Sequence, residues 1–303
     1  MRILVAGGTG FIGRALIRRL SAQGNEIVAL VRDVADASSK FPPEVSVASW
    51  DGMTVGDWGH SMENADAVVN LSGASIGGGR WTPRRKALIL QSRVAPTRAL
   101  VEAMRASRHR PRVLINASAV GYYGMSGDDV VTEETPPGDD FLGTTCQQWE
   151  AEALSAAPLG VRVVLPRFGV VLAEGGGALD RMVLPFKMFI GGPLGSGSQW
   201  YPWVHRDDAI AAILHLLDHQ EFEGALNVVS PESVNMRMFA SELGRTLGRP
   251  SWIPVPSLVL RMILGEMSGI ILQGRHIVPA RLIEAVFPFK YPTLRRALRA
   301  ILG

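Results

Sequence analysis

The sequence predicts an α/β protein, a doubly wound parallel sheet with a small, mainly helical C-terminal lobe. Three observations predict it. Short apolar runs alternate with helical patterns from residue 2 to about 172, the rhythm of a parallel sheet with helices on both faces. The runs are almost continuously apolar, as strands buried on both sides must be. After residue 172 glycine-rich loops take over, and from about 235 the chain reads as helix, with turns marked by Pro250, Pro254 and Pro256.

Taken in order, "RILVAG" (2–7) is a β-rich run that enters a glycine cluster. Phe11, Ile12, Ala15, Leu16 and Leu20 then repeat at helical spacing, closed by Gly24, and "EIVALV" (26–31) is a second strand. Residues 2–31 therefore form a βαβ unit. "ADAVVNLSG" (65–73) reads as a third buried strand, a long helix is expected over about 83–107, and 112–116 is the next strand. An acidic Pro/Gly-rich loop fills about 124–140, "QQWEAEALSAA" (147–157) is helical, and "VRVVLPRFGVVL" (161–172) reads as one strand. "EGGGALD" (174–180) and "GGPLGSGSQWYPWVH" (191–205) are loops too long to be mere connectors.

The 303 residues are 47% hydrophobic and 19% charged, enough to bury a sizeable core and unlike a disordered chain. Net charge is only +3, and Lys40, Lys86, Lys187 and Lys290 are the only lysines. Arg105, Arg108, His109, Arg110 and Arg112 cluster in the pattern of a solvated helix end, with contact to an anionic partner as the alternative. No basic patch is interleaved with aromatics, so nucleic acid is not expected as a partner. Cys146 is the only cysteine, which excludes an intrachain disulfide and a cysteine-rich metal site. "LVLRMILGEMSGIILQG" (258–274) is the most membrane-like stretch, but Arg261 and Glu266 interrupt it. These features predict a cytoplasmic protein without a membrane span. They leave the oligomeric state open, a homodimer being one possibility.

"GGTGFIG" (7–13) follows the first strand and opens a helix, the context that gives a glycine motif meaning. Gly7 permits a tight turn, Gly10 lets backbone approach a pyrophosphate, and Gly13 lets the helix pack closely on the sheet. The first-turn N–H groups around Phe11 and Ile12 then receive the anion. The motif predicts a Rossmann-like dinucleotide site. The second strand ends "ALVRD", which puts Arg32 where NAD-specific sites hold a carboxylate for the ribose 2′-hydroxyl. A guanidinium there suits a 2′-phosphate, so NADP(H) is expected ahead of NAD, with Asp33 the competing residue.

"SAVGYYG" (118–124) places Ser118 shortly before Tyr122 and Tyr123, just past a strand. A serine and a tyrosine in that place suggest a proton relay.

With the cradle, "NLSG" (70–73) and this Ser/Tyr stretch, the chain resembles the short-chain dehydrogenase/reductase superfamily, in its extended NAD(P)-dependent epimerase/dehydratase branch. "NLSGASIGGGRW", "SRV" (92–94), "FGVVLAEGGGAL", "GGPLGSGSQWYPWVH" and "FKYPTLRRAL" are more specific. They are similar to an atypical epimerase family group with a C-terminal domain of unknown function, some of whose members are labelled cell-division inhibitors. The resemblance covers nearly the whole chain. It implies a dinucleotide-binding domain over 1–172, completed by part of 204–230, and a substrate lobe over 173–303, with 250–303 as the family's C-terminal domain. It also implies that Leu71, Ser72 and Gly73 line the cofactor and that Arg93 points back towards it. Ala117 and Ser118 would sit beside the nicotinamide, and Pro166 and Arg167 near its amide.

In that superfamily a tyrosine is the general acid/base, and a lysine four residues later lowers its pKa. If Glu150 is the glutamate that follows the pair, the lysine position is Cys146 and the tyrosine position is Leu142. No lysine occurs between Lys86 and Lys187, so the Tyr-x-x-x-Lys pair is absent. Tyr122 or Tyr123 with Ser118 is one candidate replacement. His205 with Asp207 is another, although the superfamily's aspartate in that stretch usually caps the next helix. Cys146 is a titratable substitute or an inert core thiol. Arg167 is a candidate clamp for an anionic substrate. His215 and His219 have metal-like spacing but no third ligand, and read as a helix surface. Asp128, Asp129, Glu133, Glu134, Asp139 and Asp140 read as a solvated loop. Trp81, Trp200 and Trp203 either wall a substrate pocket or anchor long loops.

Two functions are compatible with this sequence. One is an NADP(H)-dependent oxidoreductase or epimerase-like enzyme acting on a small molecule through an atypical relay. The other is a non-catalytic NADP(H)-sensing regulatory or interaction protein.

Overall fold

Ile3, Val5 and Ala6 are fully buried and Leu4 nearly so, which places β1 (Arg2–Ala6) in the middle of the sheet. The computed structural model describes residues 1–125, 127 and 129–303; Asp128 of the acidic loop lies outside them. After β1 come α1 (Phe11–Ala22), β2 (Glu26–Val31), α2 (Val34–Ser38), β3 (Ser46–Ser49) and β4 (Ala67–Asn70). Then follow α3 (Pro83–Ala106), β5 (Val113–Asn116), β6 (Ser118–Ala119), β7 (Val130–Val131), α4 (Phe141–Leu154) and β8 (Arg162–Phe168). β9 (Val170–Leu172), α5 (Gly177–Lys187), β10 (Trp203–His205), α6 (Arg206–Asp218) and β11 (Gly224–Val228) lead into the lobe. The lobe continues with α7 (Met236–Leu247), α8 (Ser257–Leu264), α9 (Gly269–Leu272), β12 (His276–Ile277), α10 (Ala280–Glu284) and α11 (Leu294–Leu302).

The main sheet runs in the order β3-β2-β1-β4-β5-β8-β11, with β6 added onto β8, and its pairings are parallel. Strand order reverses between β1 and β4, the switch point at which doubly wound sheets bind ligands beyond their carboxyl ends. Leu16, Ile17 and Leu20 of α1 and Ile213 and Leu216 of α6 cover one face, against Ile3, Val5 and Ile115. Leu100 and Met104 of α3 and Ala153 of α4 cover the other, against Leu4, Val68 and Leu114. A separate core, with Trp203, Phe239, Leu243 and Leu298, joins β10, α7 and α11 in the lobe.

The structure departs from the sequence reading at several places. β3 was not anticipated: "SVAS" is a half-exposed edge strand without an apolar run. The strand read over 161–172 breaks at Gly169, where a Cβ would lie 2.8 Å from the Pro202 carbonyl oxygen. Beyond the break Val170 N–H donates to Pro202, and β9 leaves the main sheet to pair with β10, inside the segment read as loop. α4 begins at Phe141 rather than 147 because Asp140 accepts the Gly143 N–H at 2.8 Å and caps it. Glu133 is buried rather than solvated, while Asp129, Glu134 and Asp139 are exposed.

The tail is stitched onto the sheet domain. Asp208 accepts the Lys290 and Tyr291 N–H groups, β12 pairs with β7, and Arg281 donates to the Ala225 carbonyl beside β8. Among the described residues no helix is long and apolar enough to cross a membrane.

Candidate functional site

Gly7 leaves β1 with φ of +77°, and a Cβ there would lie 2.6 Å from the Leu71 carbonyl carbon and oxygen. Only glycine fits this turn. Gly10 N–H donates to the Gly7 carbonyl at 3.0 Å, and a Cβ on Gly13 would approach that same oxygen to 2.4 Å. Among the described residues no side chain caps α1 and its first turn holds no acid, so the amides at Phe11 and Ile12 present an uncapped positive helix end. Beside the turn, the Ser72 hydroxyl is buried without a hydrogen-bond partner among the described residues. A glycine cradle closed to side chains, an uncapped helix end and an orphaned hydroxyl fit a bound dinucleotide pyrophosphate.

Arg32 is exposed directly after β2. Asp33, its competitor, accepts the Asp36 N–H at 3.0 Å and is occupied in capping α2. Arg93 reaches from α3 to the end of β4. Its Nη1 donates to the carbonyls of Ala74 (3.1 Å) and Ile89 (2.9 Å), and its guanidinium carbon lies 5.2 Å from the Trp149 ring. That carbon stands 3.1 Å from where a Gly73 Cβ would be, so Leu71, Ser72, Gly73 and Arg93 share the crevice past β4. Ala117 is buried, its N–H donating to the Asn70 carbonyl, and Pro166 lies inside β8 opposite Leu226.

Ser118, Tyr123 and Arg167 come together differently from the expected relay. Ser118 Oγ donates to Glu150 Oε1 at 2.6 Å. Arg167 grips the same carboxylate with two donors, Nε to Oε1 and Nη2 to Oε2, both at 2.8 Å. Its Nη1 donates to the Tyr123 hydroxyl at 2.8 Å, and that hydroxyl donates to Asn227 Oδ1 at 2.7 Å. Glu133 continues the chain by accepting the Asn227 and Arg281 N–H groups. With a fourth, longer bond from Nη1 to the Glu133 carbonyl, Arg167 spends four of its five donors inside the fold and is buried, which is the place of a structural ion pair rather than of the predicted substrate clamp. Burial pushes the Tyr123 phenol up to about 12, against the opposing pull of Arg167, so it keeps its proton. Tyr122 is the exception among the candidates. It is half-buried, with the Arg167 guanidinium carbon 3.4 Å from its ring centre.

Cys146, which the resemblance sets at the lysine position, is buried, with its Sγ 3.8 Å from the Ala119 carbonyl oxygen, and burial pushes the thiol up to about 12. It is not a thiolate at neutral pH. Leu142, which the same alignment sets at the tyrosine position, packs against Gly121.

His205 is buried, and its Nδ1 accepts the Asp207 N–H at 3.0 Å. The histidine therefore caps α6, a role the sequence reading gave to the aspartate. Burial lowers its pKa from 6.5 to about 4. The unfolded chain takes up this proton as pH falls through about 6.5 and the folded chain only near 4. The associated stability is full above the unfolded value and is lost as pH falls across that window. His205→Asn keeps a capping side chain and removes the titration. Urea denaturation of the variant is expected to show a smaller stability loss between pH 7 and pH 5 than the parent; an equal loss would exclude His205 as a source of acid sensitivity.

Trp203 is a core residue, Trp81 packs with Ile89, Leu142 and Met267, and Trp200 stacks on His276 with ring centres 4.1 Å apart. His215 of α6 stacks on His219, the residue that caps its C-terminal end. The sequence reading used Glu150 only to place an alignment and missed Asn227. Neither stands in a local motif, and only Glu150's place four residues after the lysine position hinted at its role.

The fold and cradle define a dinucleotide-binding α/β protein of the epimerase type. The NAD dependent epimerase/dehydratase family matches residues 3–229, and the chain belongs to that family. A domain of unknown function (DUF1731) matches residues 255–301. An epimerase family protein SDR39U1 homolog, chloroplastic, of Arabidopsis thaliana is 41% identical over 307 residues, covering 100% of this chain and 87% of the relative. An epimerase family protein of Staphylococcus saprophyticus is 40% identical, with 97% of each chain covered. Among solved structures, human epimerase family protein SDR39U1 (isoform 2) with NADPH superposes with a TM-score of 0.88 at 35% identity, over 99% of both chains. A UDP-N-acetylglucosamine 4-epimerase of Bacillus cereus, 16% identical with a TM-score of 0.78, shares the fold.

Proposed function

We propose that the chain binds NADP(H) over the Gly7–Gly13 turn and acts as an oxidoreductase or epimerase-like enzyme on a small molecule without the Tyr-x-x-x-Lys pair. The end of β2 carries the cofactor choice. Arg32 is exposed there, while its competitor in sequence, Asp33, is engaged in its cap. A guanidinium at this position attracts a 2′-phosphate, whereas a free carboxylate would repel it. The human relative crystallised with NADPH supports the same choice. In this reading the pyrophosphate rests on the amides around Phe11 and Ile12, Ser72 and Arg93 line its path past β4, and Ala117 and Ser118 stand at the nicotinamide end. Once bound, the cofactor supplies or accepts a hydride. Tyr122 is the side chain of this reading that moves a proton, with the buried Arg167 charge beneath its ring. A cytoplasmic setting belongs to the same reading, supported by the single, unpaired cysteine.

Titration with NADPH and NADH is expected to show tighter binding of NADPH, and Arg32→Ala to weaken NADPH by about tenfold or more while leaving NADH unchanged. Equal affinities that ignore the mutation would overturn the NADP assignment. A second reading, an NADP(H) sensor without turnover, is favoured by Leu142 and Cys146 at the tyrosine and lysine positions and by Ser118 being held by Glu150. A candidate-substrate screen that follows NADPH absorbance separates the two.

A further inference from the structure

Three helices begin around one aromatic ring. Phe11 is the first residue of α1, Gly177 of α5 and Arg206 of α6. A Cβ on Gly176 would stand 3.0 Å from the Phe11 ring, and one on Gly177 3.5 Å. The Arg206 guanidinium carbon lies 5.3 Å from the centre of the same ring. Gly175, Gly176 and Gly177 have φ of +76°, +153° and +80°, three consecutive residues in backbone that a side chain would strain. Glycine is what lets this turn lie on Phe11.

The charge gathered there is positive and unanswered. Each helix start carries a partial positive charge, and among the described residues no side chain caps α1 or α5. Arg206 adds a full charge. Its Nε is buried without a partner among the described residues, and the one side-chain hydrogen bond it makes there, Nη1 to the Glu174 carbonyl, is long at 3.5 Å. Four of the five guanidinium donors are therefore unspent within the described fold. The acids nearest in sequence do not neutralise it. Asp207 pairs with Lys290, and Asp208 accepts the Lys290 and Tyr291 amides. Glu174 and Asp180 are exposed, and neither forms an ion pair with Arg206 among the described residues. A side chain on the first residue of a helix tilts back towards the helix start. The ring shared by Arg206 and the glycine turn thus lies at the mouth of the cradle, whose Phe11 amide faces the same end. The anion that fits there is the one the cradle itself is shaped for.

We propose that Arg206 is a second cation for the dinucleotide's diphosphate, held beside the start of α1 while the Gly175–Gly177 turn covers the Phe11 ring. This rests on the dinucleotide reading and adds a residue to it. Arg32 then serves the 2′-phosphate, Arg93 the path past β4, and Arg206 the diphosphate. It also gives part of the segment after residue 172, read from the sequence as substrate lobe, a share in holding the cofactor.

The test is calorimetric titration of the full chain, and of Arg206→Met and Arg206→Lys, with NADPH, NADH and ADP-ribose. Methionine keeps an apolar stem against Phe11 and removes the charge, whereas lysine keeps the charge. Arg206→Met is expected to weaken all three ligands about tenfold, with Arg206→Lys within about threefold of the parent. Undiminished binding by Arg206→Met overturns the proposal. An equal loss in both variants makes Arg206 a packing residue and also overturns it. A loss confined to NADPH moves Arg206 to the 2′-phosphate, and one that spares ADP-ribose moves it to the nicotinamide end; either overturns the proposal. If Arg206→Met does not fold, phenylglyoxal labelling of Arg206 in the unaltered protein decides. ADP-ribose is expected to slow it about tenfold, and an unchanged rate overturns the proposal. A parent chain that binds no dinucleotide removes the cofactor reading and this inference with it. A parent that binds, beside an Arg206→Met that binds equally well, removes this inference alone.

Discussion

Arg167→Leu is expected to destabilise the fold by about 3–5 kcal/mol, the usual cost of removing one partner from a buried ion pair. Arg167 and Glu150 are only 4% and 6% exposed at their side chains, and two parallel 2.8 Å hydrogen bonds join them. Without the guanidinium, Glu150 keeps, among the described residues, the Ser118 hydroxyl as a neutral hydrogen-bond donor and no countercharge, and the Tyr123 hydroxyl loses its donor. A buried carboxylate in that state either stays charged without compensation or takes up a proton, and both weaken the native state. Urea denaturation at pH 7 reads the loss. Replacing both partners, as Glu150→Leu/Arg167→Met, is expected to recover a large part of it, because an apolar pair leaves no stranded charge. A single variant within about 1 kcal/mol of the parent would show that this network does not hold the fold together.

Gly13→Ala is expected to weaken NADPH and NADH alike, by about 100-fold or roughly 2.7 kcal/mol. The new Cβ would stand 2.4 Å from the Gly7 carbonyl oxygen and 2.8 Å from Gly8 Cα, so the turn itself must move. The turn presents backbone to the pyrophosphate, which both cofactors share. This uniform loss separates the cradle from Arg32, whose removal is expected to affect NADPH alone. Intrinsic fluorescence quenching measures the affinities, and an unchanged circular dichroism spectrum excludes unfolding as the cause. Undiminished binding of both cofactors would place the dinucleotide elsewhere.

The parts of this molecule that were legible in the sequence are those whose physics is local. Gly7, Gly10 and Gly13 act within one turn and one helix start, so their spacing alone carries the meaning. The buried strands announce themselves as apolar runs, whereas β3, an edge strand of "SVAS", carries no such pattern and was missed. The buried network was illegible for the opposite reason. Ser118 meets Glu150 across 32 positions and Tyr123 meets Asn227 across 104, and no local pattern says which hydroxyl turns inward. The same holds for capping. "HRDD" offers three side chains able to cap α6, and only the backbone geometry selects His205. The resemblance singled out Arg167 but left open what its charge would meet, which here is another side chain.

Glu133 draws together the Asn227 and Arg281 amides, groups 94 and 148 positions further along the chain. On a ribosome adding about 5–20 residues per second, that carboxylate waits on the order of 7–30 s for its last partner. Until residue 228 is made, β8 stands at the growing edge of the sheet without β11, and the Tyr123 hydroxyl lacks its acceptor. The nascent protein therefore has a long interval in which the sheet is partly assembled and its polar interior is unfinished. The closing event is the arrival of the tail rather than the collapse of the core, so the last quarter of translation sets when this protein becomes native.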